Sequence, residues 1–198
     1  MDLYRSKGAV VRGLTPVVAG LARAGISPDA VTLAAVPVAV LAGALLLLSP
    51  GAPVLLLAIP VLAIIRLILN LLDGALARHT GRTHPRGELY NELGDRVADV
   101  AFLAPVAFLP GANQPVVLLG VLGAVLASFA GLVPRAAGGE RIYRGILSKP
   151  GRMALLSVFA VAAFVAGSGA WAWFGPLLLA GTVLTLIERI VVGVRRLA

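Results

Sequence analysis

Two short stretches hold most of the residues in this chain that could do chemistry. "NLLDGALAR", Asn70 to Arg78, closes one of its most apolar runs, and "NELGDRVAD", Asn91 to Asp99, opens the next. The chain has nine Asp and Glu, and five of them, Asp73, Glu88, Glu92, Asp95 and Asp99, lie in or beside these stretches. A charge at the centre of a bilayer costs at least about 2.5–3.5 kcal/mol, so such residues face protein or water and mark functional sites. Carboxylates placed here suit a charged ligand or ion coupling.

Helices must position them. Arg66, Asn70, Asp73 and Ala77 follow at intervals of four, three and four, which is one helical face; Gly87, Asn91, Asp95 and Asp99 follow at intervals of four, one face of the next helix. Burying both faces is simplest if they meet. Counted inward from Arg78 and Gly87, Asp73, Asn70, Asn91 and Asp95 share a layer about 6–12 Å deep, and Arg66 and Asp99 share one about 18 Å deep. An Arg66–Asp99 ion pair is therefore expected beneath the polar cluster. Small residues lie beside the acids. Gly74 leaves room for a ligand, while Gly94 and Ala98 serve equally to let the helices pack.

Composition sets the class. Of 198 residues, 59% are hydrophobic and mean hydropathy is +0.97, whereas a soluble domain is about 45–50% apolar. This is an all-α integral membrane protein of one compact domain. It has no cysteine, so disulfides are excluded. The net charge of +8 is no nucleic-acid signature, because the basic residues fall in step with the apolar runs. The N-terminus does not read as a secretory signal peptide, since the first long apolar run begins only near Pro28.

Six runs are long enough to span a bilayer, at about 28–49, 52–77, 89–110, 114–134, 153–173 and 175–194. Ser27 and Pro28 in "SPDAVT" read as cap and first turn of the first. "LSPGAP" and "LPGANQP" read as turns, and "WAWFGP", Trp171 to Pro176, as an interfacial aromatic cluster at the last turn. Residues 1–27 form a juxtamembrane segment, expected as an amphipathic helix that Pro16 kinks or breaks, ahead of a six-helix domain over 28–198. That segment is either a plain basic flank or a substrate contact. Lys and Arg set orientation. Arg5, Lys7, Arg12 and Arg23 precede span one; Arg78, Arg82 and Arg86 separate spans two and three. Arg135, Arg141, Arg144, Lys149 and Arg152 separate spans four and five, and Arg189, Arg195 and Arg196 end the chain. The other three turns have none, which places both termini and the two basic loops in the cytoplasm. Only Arg66 and Arg96 remain, both inside spans.

The string N70-x2-D73-G74-x2-A77-R78-x8-G87-x3-N91-x3-D95 resembles the signature D-x2-D-G-x2-A-R-x8-G-x3-D-x3-D of the CDP-alcohol phosphotransferases. Every spacing is kept and six of eight specified residues are identical; the first and third Asp are Asn70 and Asn91. The resemblance implies transfer of a phosphatidyl or related phosphoalcohol group from a CDP-alcohol, foremost CDP-diacylglycerol, to an acceptor hydroxyl, with release of CMP, in phospholipid biosynthesis. It implies Mg²⁺ or Mn²⁺ held at Asn70, Asp73, Asn91 and Asp95, with Asp95 also the general base, and nucleotide handling by Gly74, Ala77, Arg78 and Gly87. It also implies a homodimer in a bacterial cytoplasmic membrane, with the active site facing the cytoplasm.

The two Asn are neutral, weaker ligands. They leave a site for one ion or a weakened pair, a site that recruits Glu88, Glu92 or Asp99, or a site without transfer activity. Glu92 is also placed to reach Arg96 one turn on. In the second basic loop, Arg135, Lys149 and Arg152 could hold an acceptor or lipid phosphate, or simply mark the cytoplasmic side. His79 and His84 read as solvated, and Glu188 and Arg189 as a structural pair or a cavity wall. Two other functions fit the same residues. One is a catalytically inactive CDP-lipid-binding relative. The other is a small ion-coupled transporter, which the clustering of acids near one surface and the lack of an internal repeat disfavour.

Overall fold

The computed structural model describes residues 13–81 and 85–197. The expectations for Arg5, Lys7, Arg12, Arg82 and His84 lie outside them. Among the described residues the chain is helical throughout, with no strand. Helix α1 is Thr15–Arg23, α2 Pro28–Leu48, α3 Ala58–Thr80 and α4 Pro85–Leu103. Helix α5 is Gln114–Ala136, α6 Lys149–Ala166 and α7 Trp171–Leu197. Short 3-10 turns lead into α3 and α7 and follow α4.

Local chemistry explains the boundaries. Ser27 caps α2, its hydroxyl accepting from the Ala30 amide at 3.1 Å, with Pro28 in the first turn. Gly81, at φ 64°, ends α3 in the left-handed conformation. Gly13 is helical, Leu14 is a turn and α1 begins at Thr15, so the helical path is interrupted just ahead of Pro16, which sits in the first turn of α1 where its missing N–H has no partner to lose. One expectation needs correction. "WAWFGP" is not a turn but the start of α7. Trp171 is buried there in edge-to-face contact with Phe174, and the chain reverses earlier, through Gly167 (φ 88°) and Ser168–Ala170.

Helix α2 packs against both α3 and α4, α6 packs against α3, and α5 lies along α7. The main core joins α2, α3, α4, α5, α6 and α7 through Leu46, Ile59, Phe102, Val121, Leu156 and Leu178. A smaller cluster, Val18, Val31, Leu72, Ala75 and Leu76, docks α1 on α2 and α3. Small residues permit the closest approaches. A Cβ on Gly43 would lie 2.5 Å from the Ala101 carbonyl oxygen of α4.

Five segments are long and apolar enough to cross a membrane: Pro28–Leu48, Pro53–Thr80, Gln114–Ala136, Lys149–Ala166 and Ser168–Leu197. The chain is an integral membrane protein. Helix α4 is not among the five, because Arg86, Glu88, Glu92, Asp95, Arg96 and Asp99 crowd its sequence. Its faces are inverted relative to a helix of a soluble protein. Glu92 and Asp99 are buried, while Leu89, Leu93, Val97 and Val100 point outward.

Candidate active site

The polar faces of α3 and α4 meet. Asn70 Nδ2 donates to Asp95 Oδ1 at 3.1 Å, joining the two halves of the spaced motif. Asp73 lies one turn further along α3 and is 6% exposed. Its Oδ1 accepts from the Gly74 amide at 2.5 Å and its Oδ2 from the Thr32 hydroxyl of α2 at 2.9 Å. Asp73 and Asp95 are near enough to interact electrostatically with each other and with Lys149. Lys149, the first residue of α6, forms an ion pair with Asp95 Oδ1, the same oxygen that Asn70 approaches. Asn91 is one turn before Asp95 on α4 and partly buried.

Beneath this layer lies a dry cluster. Arg66 Nη2 is 2.5 Å from Asp99 Oδ1, and Arg152 Nη2 is 2.6 Å from Asp99 Oδ2. All three side chains are at most 1% exposed. Arg66 also reaches the Met153 sulfur at 3.1 Å and lies over the Phe102 ring, while Arg152 donates to the Leu147 carbonyl at 3.2 Å. Two guanidiniums on one carboxylate leave this buried group with an excess positive charge, and both Nε atoms lack a partner.

The remaining named residues spread outward. Gly74 makes room for Arg78, since a Cβ there would sit 3.4 Å from Arg78 Nη1. Arg78 and His79 line a small recess of about 130 Å³ against Thr15 and Val18 of α1. Ala77 is on the same face of α3, and Gly87 is in the first turn of α4. Arg135 is exposed and pairs with Glu88. It borders a recess of about 610 Å³ lined also by Glu140, Arg141, Tyr143, Arg144 and Arg196.

The three cations of the second loop therefore do not act together. Arg135 is at the surface, Lys149 is on Asp95, and Arg152 is buried on Asp99. Glu188 and Arg189 do not pair with each other. Glu188 binds Arg144 at 2.7 Å, and Arg189 donates to the carbonyls of Ala127, Tyr143 and Arg144. The acids that could have replaced the two Asn are engaged elsewhere: Glu88 by Arg135, Glu92 by Arg96 and Arg141, and Asp99 by Arg66 and Arg152.

Sequence reasoning missed Thr32, Arg141 and Ser128, the last 3.5 Å from Arg152. For Thr32 there was a signal, because it ends "SPDAVT", one turn inside a helix whose cap was already legible. Among the described residues, no group of three or more His, Cys, Asp and Glu converges as a metal site would need. Two carboxylates and two amide carbonyl oxygens remain on adjoining faces. Those are hard oxygen donors of the kind Mg²⁺ or Mn²⁺ takes together with water and substrate phosphates.

Known proteins resemble this chain in sequence and in fold. No family model matches the chain. Inner membrane protein YnbA of Escherichia coli is 34% identical over 162 residues, 82% of this chain and 80% of that protein. The archaetidylinositol phosphate synthase of Aeropyrum pernix is 31% identical over 155 residues, 76% of each. The phosphatidylinositol phosphate synthase of Mycobacterium tuberculosis with CDP-DAG bound shares the fold, with TM-score 0.74 at 22% identity over 94% of both chains. The same synthase with manganese and citrate gives 0.73 at 25% identity, over 90% of this chain and 88% of that one. Its apo form gives 0.71 at 26%, over 91% and 95%. With relatives this similar over most of its length and a shared fold, the chain belongs to the CDP-alcohol phosphotransferases, membrane transferases of phospholipid synthesis.

Proposed function

We propose that this protein transfers a phosphatidyl group from a CDP-alcohol, in the first instance CDP-diacylglycerol, to an acceptor hydroxyl and releases CMP. The observation that carries the reading is that Asp73 and Asp95 lie close enough to interact across α3 and α4, with Asn70 hydrogen-bonded to Asp95, in the layer next to the basic loops. Two of the relatives named above are an archaetidylinositol phosphate synthase and a phosphatidylinositol phosphate synthase, and one structure of the latter holds CDP-DAG.

In this reaction the acceptor oxygen forms a bond to the lipid-side phosphorus. The bond from that phosphorus to the bridging oxygen breaks, and CMP leaves with the electron pair. The acceptor's proton goes to Asp95 Oδ, which lies on the open side of the buried Asp99 cluster. Asp73 is fixed by Thr32 and Gly74, so its carboxylate is aimed without rearrangement. Asp73, Asp95 and the carbonyl oxygens of Asn70 and Asn91 would hold a Mg²⁺ or Mn²⁺ ion. When bound, that ion neutralises the pyrophosphate and the leaving phosphate. Gly74 and Ala77 give the nucleotide a flat approach to α3, with Arg78 at its phosphates and Gly87 at the facing helix. The recess at Arg135, Arg141 and Arg144 offers an acceptor phosphate cationic partners, which it would share with Glu88, Glu92 and Glu188. Helix α4 completes six spans because its outward face is apolar, and the protein forms a homodimer in keeping with its family.

The test is CMP release from purified protein given CDP-diacylglycerol, Mg²⁺ or Mn²⁺ and a panel of acceptor alcohols. Asp95→Asn is expected to lower kcat roughly 10²–10⁴-fold, and Asp73→Asn to abolish metal-dependent turnover. A second reading has its own observation, the Asn70 and Lys149 contacts at Asp95. It is a CDP-lipid-binding protein without turnover, and binding with no CMP release under any acceptor would establish it. Neither binding nor release would return the chain to the transporter class.

A further inference from the structure

Lys149 is in an unfavourable place unless it serves Asp95. It opens α6, where the helix dipole presents positive charge and disfavours a cation. Its side chain is only 19% exposed, and that of Asp95 14%. The turn that presents it is pinned on both sides. The Leu147 amide donates to Thr185 Oγ1 at 2.8 Å, the Leu147 carbonyl accepts from Arg152, and the Arg152 amide donates to the Ser148 carbonyl at 3.0 Å. The ammonium is thus held at one carboxylate oxygen rather than left to swing in solvent.

Charge bookkeeping gives this contact a purpose. A cluster of four carboxylates is neutralised by two divalent cations. Here two of the four positions are Asn, and the two carboxylates that remain share one fixed ammonium. Nearby guanidiniums add to the positive side of the sum, since Arg66 and Arg152 share the single carboxylate Asp99, and Arg96 and Arg141 share Glu92, so that each group keeps one excess positive charge. Counting Asp73, Asp95 and Lys149 alone, one divalent ion leaves a single positive charge and two leave three, against the two negative charges of an incoming pyrophosphate diester. The excess positive charge of the neighbouring Arg groups adds to either sum, so one ion is the closer match.

We propose that the Lys149 ammonium is a built-in counter-cation for Asp95 that stands where a second divalent ion would supply charge, limiting the site to one divalent cation. The inference rests on the transferase reading of this site. Lys149 acts through Asp95 as a positioning residue. It takes the role that Asn70 and Asn91 open by lowering the demand for metal, and it accounts for two neutral residues at positions built for acids.

Mn²⁺ binding to the purified full-length protein tests this, followed by electron paramagnetic resonance for affinity and by elemental analysis for stoichiometry. The wild type is expected to bind one Mn²⁺ per chain. Lys149→Met removes a like charge at contact distance from the ligand carboxylate and is expected to tighten Mn²⁺ roughly ten-fold. Lys149→Arg keeps the charge and the wild-type affinity. The triple variant Lys149→Met, Asn70→Asp, Asn91→Asp is expected to take up two ions. CDP-diacylglycerol binding by each variant reports that it is folded. One Mn²⁺ in the wild type with Lys149→Met within two-fold of it, or weaker, overturns the role of Lys149 and leaves the transferase reading intact. Two tight ions in the wild type overturn it as well. No Mn²⁺ in any variant, together with no CMP release, overturns both.

Discussion

Asp99 carries two arginines, and that asymmetry decides what its loss does. Removing one partner of a buried ion pair leaves an uncompensated charge and costs about 3–5 kcal/mol. Asp99→Asn strands two guanidiniums, each fully enclosed. Arg66→Met instead leaves Asp99 with Arg152, a neutral pair, and removes the excess charge along with the orphaned Arg66 Nε. Thermal unfolding in detergent is therefore expected to rank Asp99→Asn as the most damaging of the set, with Arg66→Met milder by at least about 1–2 kcal/mol. Equal losses would mean that the cluster is wetter, and less coupled, than its burial implies. Half of this cluster was legible beforehand. Arg66 and Asp99 lie at the same depth on two antiparallel helical faces, so the helical repeat brought them together. Arg152 was not legible, because it arrives from α6, 53 residues beyond Asp99, and no periodicity links the two. The Lys149–Asp95 contact was not legible for the same reason. As one cation of a basic loop Lys149 suggested phosphate binding, and only the path of that loop brings it to Asp95.

At the scale of elements, α4 shows how a helix with one polar and one apolar face falls below a hydropathy count. Its average is pulled down by six charged side chains, yet three of them, Glu92, Asp95 and Asp99, turn inward and meet partners on α3, α6 and the loop from α5 to α6. The spacing of Leu89, Leu93 and Val97 by four continues one outward stripe. The sequence showed the polar face clearly, because Asn91, Asp95 and Asp99 repeat every fourth residue. What it could not show was that both flanks of that face would be closed by other helices. If the stripe faces lipid, Leu93→Arg puts a charge into hydrocarbon at a penalty of about 2.5–3.5 kcal/mol. Leu93 is 57% exposed in the isolated chain, so in a water-facing helix the same change would be close to neutral. Membrane-integrated yield is expected to fall sharply for Leu93→Arg and to be unchanged for Leu93→Phe. An unaffected Leu93→Arg protein would place α4 outside the bilayer.

For the whole molecule, the two ends of the bundle differ in charge, and the structure shows which turns share an end. A Cβ on Gly111, in the turn from α4 to α5, would lie 2.6 Å from the Ser168 carbonyl oxygen, in the turn from α6 to α7. Neither turn carries a charged residue. At the other end, Arg135 pairs with Glu88 and Arg144 with Glu188, tying the loop from α5 to α6 to the start of α4 and to the last turns of α7. The Asp73–Asp95 layer belongs to this basic end. Retention of Lys and Arg on the cytoplasmic side then predicts that the site faces the cytoplasm. The absence of cysteine makes the orientation directly measurable, since any introduced thiol is the sole one in the chain. Ala137→Cys and Gly169→Cys both place a thiol at an exposed position, one at each end, and neither substitution disturbs a packed contact. In intact cells of a bacterial host, a membrane-impermeant maleimide is expected to label Gly169→Cys and to reach Ala137→Cys only after the membrane is opened. The reverse pattern would turn the basic end and its carboxylates away from the cytoplasm, where CDP-lipid head groups are presented, and the transferase reading would fall with it.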